Sequence, residues 1–245
     1  MSEIPPVPRR TIDLNADLGE GFPDDEALLD RISSAGIACG GHAGDRTICL
    51  RTMELARGKG VVIGAHPGYP DREGFGRRER HVTAQDVTQI VEEQLARLVS
   101  WAAEVDACVR FVKPHGALYH QAQREPELAR GLVMAVIDRG LPVLGLPGGA
   151  LEREVLLAGL TFIPEGFADR RYRPDGSLVP RSEPGALIDD PSESERQALA
   201  LIDRGLRTLC LHGDDPRALA KADRLRTALG RAGILMRSFA GDVQV

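Results

Sequence analysis

The sequence predicts an α/β protein, a TIM-like (β/α) barrel of seven or eight parallel strands. Three observations predict it. Eight short apolar runs recur along the 245 residues, helix start and stop signals fall between them, and histidines and carboxylates gather at one end of the runs only. Short apolar runs without strict alternation are typical of strands buried on both faces. Strands alternating with helices build right-handed crossovers and a parallel sheet. About eight of them in one domain of this length favour a closed barrel over an open doubly wound sheet.

Residues 1–10, MSEIPPVPRR, are polar and proline-rich and read as a flexible N-terminal arm, ahead of a single domain over 11–245. The first three strands are TIDLN (11–15), AGIAC (35–39) and VVIGA (61–65), the last following a helix-ending Gly58-Lys59-Gly60. Thr83 with Asp86 resembles a capping box, and Val87, Val91, Leu95, Leu98 and Trp101 mark the apolar face of a helix reaching about Glu104. RFVKP (110–114) is the fourth strand. Pro126 after Glu125 then starts a helix that Gly140 should end. PVLGL (142–146) and TFIPE (161–165) follow as strands five and six. From Glu165 to about Ser192 the rhythm breaks, with four prolines and many charges. A stretch of that length is expected to be a lid, a binding loop or a disordered insert. TLCLH (208–212), a helix from Asp215-Pro216 to Gly230, and ILMRSF (234–239) complete the series.

Composition narrows the function. Hydrophobic residues make up 42% and charged residues 27%, with a formal net charge of −5 spread along the chain. No basic surface invites nucleic acid or an anionic membrane, and no apolar run approaches the roughly 20 residues of a membrane span. The first ten residues lack the apolar core of a secretion signal. Cys39, Cys49, Cys108 and Cys210 show no C-x-x-C spacing and are expected to be small buried hydrophobes of a reduced, cytoplasmic protein. There is no G-x-x-x-x-G-K-[ST] loop, no G-x-G-x-x-G after a strand and no G-x-S-x-G elbow. Any nucleotide must be held by some other arrangement.

The polar residues are distributed unevenly. Asn15, Asp17 and Glu20 follow the first strand, His42 and Asp45 the second, His66 the third, Lys113 and His115 the fourth. Glu165, Asp169, Arg170 and Arg171 follow the sixth, and His212 the seventh. The opposite ends, RGKG, EVDACV, DRGLP and RAG, contain no histidine. Parallel barrels build their active sites at the C-terminal strand ends, so four of the six histidines fall on the functional rim. Asp13, Asn15 and Asp17 alternate and therefore point one way. They are expected to bind a cation or hold ligand hydroxyls and amines, or simply to cap the strand through Asx turns. Lys113 ends an apolar strand, where an ammonium must be paired, aimed at an anion or snorkelling to the rim.

The stretches IDLNADLGEGFP, ACGGHAGD, GAHPGYPDREGFGRR, VKPHGALYH and EGFADRRYRPDGSLVPR together resemble the LamB/YcsF family, from about Ile12 to the C-terminus. The resemblance implies a barrel of the glycoside hydrolase and metal-dependent deacetylase type. It implies one subunit of a bacterial 5-oxoprolinase that turns 5-oxo-L-proline into L-glutamate while ATP, with Mg2+, becomes ADP and phosphate. Two further subunits, B and C, are expected as partners; the oligomeric state is left open. On that footing Lys113, Arg170 and Arg171 are expected to bind phosphate or carboxylate, and His66, His115 and His212 to act as acid or base. Asp13, Asp17 and Glu20 would position a cation or water. Asn15, His42, Asp45, Glu165 and Asp169 complete the expected binding site. Two other functions compete. One is a stand-alone metal-dependent amidase or deacetylase, with Asp13, His42 and His66 holding a divalent metal. The other is a subunit that binds 5-oxoproline without chemistry.

Overall fold

The computed structural model describes residues 10–240; the expected arm lies outside them except for Arg10. All eight apolar runs form strands: β1 (Thr11–Leu18), β2 (Ser34–Ala38), β3 (Val62–His66), β4 (Val109–Val112), β5 (Val143–Gly145), β6 (Phe162–Phe167), β7 (Thr208–His212) and β8 (Leu235–Met236). Each of the first six pairs in parallel with the next, and β7 pairs with β1, so seven strands close the barrel.

The eighth strand is a wedge, not a stave. Its two residues pair with Thr11 and Ile12. The N–H groups of Leu235 and Arg237 donate to the carbonyls of Arg10 and Ile12, and that of Ser33 donates to the carbonyl of Leu14. Alternate carbonyls of a strand face the same side, so β8 lies on the edge of β1 that β2 also uses, nearer the strand's start. Pairing with β2 begins only at Asn15, which leaves the lower half of this eight-residue strand open to β8.

Around the barrel run α1 (Asp25–Leu29), α2 (Arg46–Gly58), α3 (Ala84–Glu104), α4 (Gly116–Arg124), α5 (Pro126–Val136), α6 (Ala150–Leu157), α7 (Pro191–Asp203) and α8 (Ala218–Arg231). The Thr83–Asp86 capping box forms in both directions at the start of α3. Val87, Val91, Leu95 and Leu98 bury its apolar face, while Trp101 is half-buried. Pro126 opens α5. The Asp215-Pro216 start is displaced to Ala218, because the Asp215 carboxylate takes the Arg217 N–H and holds a turn. Cys39, Cys49 and Cys210 are buried as expected; Cys108, in the turn before β4, is exposed.

Period-two alternation sorts the strands into an outer apolar face and an inner face that changes character with height. Val62, Phe111, Leu144 and Ile163 form a buried cluster on the inner face, with Phe239 packed against it. Above them the same face carries Asn15, Lys113, Glu165, Thr208 and Cys210, and then Asp17, His66 and His212 at the strand ends. The apolar floor seals one end, so the polar groups open only toward the C-terminal rim.

Candidate active site

The deepest polar group is Asp13. Its carboxylate accepts from Ser33 Oγ at 2.7 Å and Ser34 Oγ at 2.8 Å, and from Thr208 Oγ1. Burial pushes its carboxyl up to about 6 against those donors. With its oxygens taken by three hydroxyls, Asp13 does not converge with His42 and His66, so the expected metal trio is not assembled.

One layer higher sits Lys113, 1% exposed. Its ammonium donates to Asn15 Oδ1 at 2.9 Å and Cys210 Sγ at 3.0 Å, and lies 3.0 Å from Glu165 Oε1. Asp17 Oδ1 is 2.8 Å away, in ion-pair but not hydrogen-bond geometry. Asn15 Nδ2 donates to Glu165 Oε1 and Thr208 Oγ1, and the Tyr119 hydroxyl donates to Glu165 Oε2. Burial opposes the charge on Lys113, but Asp17 and Glu165 outweigh it and hold the ammonium well above its usual range. Burial opposes the charge on Asp17 too, where His66 and Lys113 prevail and keep the carboxyl well below its usual range. This is a preformed ion pair whose two partners each favour the other's charged form. The hydrogen bonds of Lys113 to Asn15 and Cys210 offset part of the cost of burying its charge.

His212 and Asp169 make a second unit. Nδ1 of His212 lies 2.9 Å from Asp169 Oδ2, and the His212 backbone N–H donates to the same oxygen at 3.2 Å. Burial works against the charge on Asp169, but His212 holds its carboxyl far below the usual range. A carboxylate can only accept, so Nδ1 carries the proton and Nε2 keeps its lone pair for the cavity. That is the arrangement of an oriented general acid or base.

Glu20, His42, His66 and His115 form the third unit, with one ligand atom from each lying within 4.8 Å of the others. Asp17, Cys210 and His212 make a second such group. His42 stacks flat on His115 with centroids 3.7 Å apart, and His66 stands perpendicular to both. Burial pushes the Glu20 carboxyl well up, and burial with the neighbouring histidines pushes His42 and His115 well down. Phe75 is in the left-handed region at φ 52, which carries its carbonyl to 2.8 Å from His115 Nε2. For a bulky side chain that conformation costs about 1–2 kcal/mol. Edge contacts of Phe75 with His42 and His115 hold it in place.

These units share a cavity of about 810 Å³, lined among others by Asp17, His66, Lys113, His115, Tyr119 and His212. The segment after β6 forms its outer wall. There Arg170 bridges to Leu187 and Tyr172 to Leu178 in antiparallel pairs, so the stretch folds as a flap over the rim. Arg170 is 3% exposed; its Nη2 donates to the Val179 carbonyl, and its buried Nε has no partner. Burial and nearby Arg181 lower its pKa to about 10, so it remains cationic at neutral pH. Arg77 and Arg181 reach the same cavity, both paired with Asp214.

Two expected residues lie elsewhere. Asp45 is exposed and caps α2, accepting from the Ile48 N–H. Arg171 points outward into a two-fold contact with Glu193. Asn15 and Glu165 lie beneath the cavity, where they fix Lys113. Tyr119 and Arg77 were not anticipated. Tyr119 had a signal, since it stands one helical turn beyond His115 and so shares its face.

Fold and site together define a seven-stranded (β/α) barrel with a polar pocket at its C-terminal rim. The plan is shared with a polysaccharide deacetylase from Bacillus cereus, at a TM-score of 0.58 and 14% identity over 94% of this chain and 92% of that one. The LamB/YcsF family model matches residues 12–244, and the chain belongs to the LamB/YcsF family. It is 44% identical over 252 residues to the A subunit of the 5-oxoprolinase of Methylococcus capsulatus, covering 95% of this chain and 97% of that protein. It is also similar to the lactam utilization protein of Thermus thermophilus, with a TM-score of 0.86 and 39% identity over 94% of this chain and all of that one. No described helix is long and apolar enough to cross a membrane.

Proposed function

We propose that this chain is the A subunit of an ATP-dependent 5-oxoprolinase and that its rim cavity is where the lactam is opened. The supporting observation is a cavity that brings together His212 oriented by Asp169, the Lys113–Asp17 pair and Arg170 with a free Nε. An unstrained lactam is a stable amide, and its hydrolysis is poorly driven. Phosphorylating the lactam oxygen at the expense of ATP gives an imidate-like carbon. Water attacks it, the ring C–N bond breaks to leave γ-glutamyl phosphate, and a second water hydrolyses that acyl phosphate to glutamate and phosphate. The assembled enzyme, with its B and C subunits and Mg2+-ATP, supplies the phosphoryl group in the cytoplasm.

Within this chain Arg170 binds the substrate carboxylate, for which a planar cation with unused donors is suited. Lys113 faces the lactam oxygen, where a fixed cation in a water-poor site stabilises developing negative charge. His212 Nε2 accepts a proton from the attacking water and returns it to the ring nitrogen as the C–N bond breaks. Asp17 and Glu165 keep Lys113 in position and charged. The likenesses to a 5-oxoprolinase component and to a lactam utilization protein support the substrate class.

The test is glutamate release from 5-oxoproline by the purified chain, alone and with its partner subunits, each with and without Mg2+-ATP. Glutamate appearing only with partners and ATP supports the proposal. Glutamate from the chain alone without ATP would move the assignment to a stand-alone amidase. Turnover by the complex that survives loss of His212 and Arg170 would leave only a binding role.

A further inference from the structure

The hydrogen bonds of two histidines leave a contradiction that a cation resolves. Nδ1 of His66 lies 2.7 Å from the Lys113 carbonyl, and Nε2 of His115 lies 2.8 Å from the Phe75 carbonyl. Carbonyl oxygens only accept, so both those nitrogens carry the ring proton. The remaining nitrogens, His66 Nε2 and His115 Nδ1, therefore present lone pairs, and they face each other at 2.9 Å. No pair of neutral rings in these tautomers can form a hydrogen bond across that gap. Carboxylate oxygens close the third side: Glu20 Oε1 lies 3.6 Å from His115 Nδ1 and 4.0 Å from His66 Nε2, within reach of both nitrogens, and Asp17 Oδ2 lies 3.4 Å from His66 Nε2.

We propose that His66 Nε2, His115 Nδ1 and Glu20 Oε1 bind one divalent transition-metal ion, of the zinc class, at the inner edge of the cavity. With nitrogen ligands about 2.0–2.1 Å from such an ion, a separation of 2.9 Å places them at about a right angle around it. Two imidazoles and one carboxylate favour zinc or a first-row neighbour over magnesium or calcium, which prefer oxygen donors. His42 is not a fourth ligand. Imidazole lone pairs lie in the ring plane, and the His42 ring is parallel to that of His115 and stacked 3.7 Å from it. An ion in the plane of one ring therefore lies outside the plane of the other. Instead His42 Nε2 sits 3.0 Å from Glu20 Oε1 and positions that carboxylate. The other two ligand residues already have the outer partners that metal-binding histidines use, since both ring N–H groups reach backbone carbonyls. His66 and His115 line the cavity, so the open coordination positions face the space where a lactam would sit. The metal site stands on this geometry alone and does not depend on the lactam reading.

The test uses the full chain stripped with a chelator and titrated with Zn2+ or Co2+ alone, without ATP, substrate or partner subunits. Equilibrium dialysis counts the ions bound, and the visible ligand-field spectrum of Co2+ reports the donor set. One ion per chain is expected, with binding lost in His115→Ala and in Glu20→Gln. His42→Ala is expected to bind about 10–100-fold more weakly, as for loss of an outer partner. Should His115→Ala fail to fold, Glu20→Gln, which keeps the side chain's shape, carries the test. Absence of binding by the folded wild-type chain would overturn the site, as would equal affinity in Glu20→Gln. A shared proton would then be what separates the two rings.

Discussion

Replacing Lys113 by Met probes the centre of the barrel most sharply. The substitution keeps an unbranched apolar stem of similar length and removes only the ammonium. Asp17 Oδ1 at 2.8 Å, Asn15 Oδ1 at 2.9 Å and Glu165 Oε1 at 3.0 Å all lose their cation. Glu165 keeps the Tyr119 hydroxyl and the Asn15 amide, whereas Asp17 keeps only His66 at 3.4 Å. Two buried carboxylates then share one site without an ammonium. Breaking a buried pair in this way costs about 3–5 kcal/mol, a large part of the roughly 5–15 kcal/mol that holds a domain folded. At about 2–4 °C per kcal/mol for a chain of this size, the Tm falls by roughly 6–20 °C. Urea unfolding at neutral pH measures the loss directly. Adding Asp17→Asn removes the stranded charge and should restore about 1–3 kcal/mol, since contacting residues couple on that scale. A loss under about 1 kcal/mol for Lys113→Met, or a double variant no better than the sum of the singles, would refute the preformed ion pair.

Other consequences follow from the same geometry. Arg170→Ala should raise the KM for 5-oxoproline about 10–100-fold, the equivalent of one hydrogen bond to a charged group; steady-state kinetics of the assembled enzyme would show it, and an unchanged KM would remove Arg170 from substrate binding. The Asp13 carboxyl, raised to about 6 from an ordinary 3.8, keeps a proton in the native state that the unfolded chain has already lost. Its contribution therefore favours folding at low pH and is lost as pH rises from about 4 to 6, a swing of about 3 kcal/mol. Urea midpoints should show wild type losing ground to Asp13→Asn over that window, and a pH-independent difference would contradict it. In Gly64→Ala the new Cβ would lie 2.2 Å from Cε2 of the Phe111 ring inside the barrel; overpacking there should cost about 1–3 kcal/mol in thermal or urea unfolding.

Much of this architecture is legible in the residues. Polar side chains at alternate positions of β1, at Asp13, Asn15 and Asp17, announce an inner face, and histidines beside glycines mark the rim. What is not legible is height and partner. Asp13 and Asp17 point the same way, but four residues of strand shift a side chain by about 13 Å, enough to put one among hydroxyls and the other in the cavity. Arg170 and Arg171 look interchangeable until an extended backbone turns one inward and the other toward Glu193. Asp45 precedes a helix, so its capping role was as readable as a binding role, and its proximity to His42 in sequence misled. The eighth run has the composition of a strand, yet whether it closes the barrel depends on how far up β1 the pairing with β2 begins. The facing lone pairs of His66 and His115 depend on the carbonyls of Lys113 and Phe75, which no side-chain pattern encodes.

The central claim is that the lactam is opened at the rim of this chain and not in its partner subunits. The most direct measurement assembles the complex with His212→Gln in this chain and follows glutamate formation from 5-oxoproline with Mg2+-ATP. A group acting as acid or base contributes about 10²–10⁴-fold, so glutamate formation should fall by that factor while the subunits still associate. Glutamate formation at the wild-type rate from a correctly assembled complex would place the chemistry elsewhere.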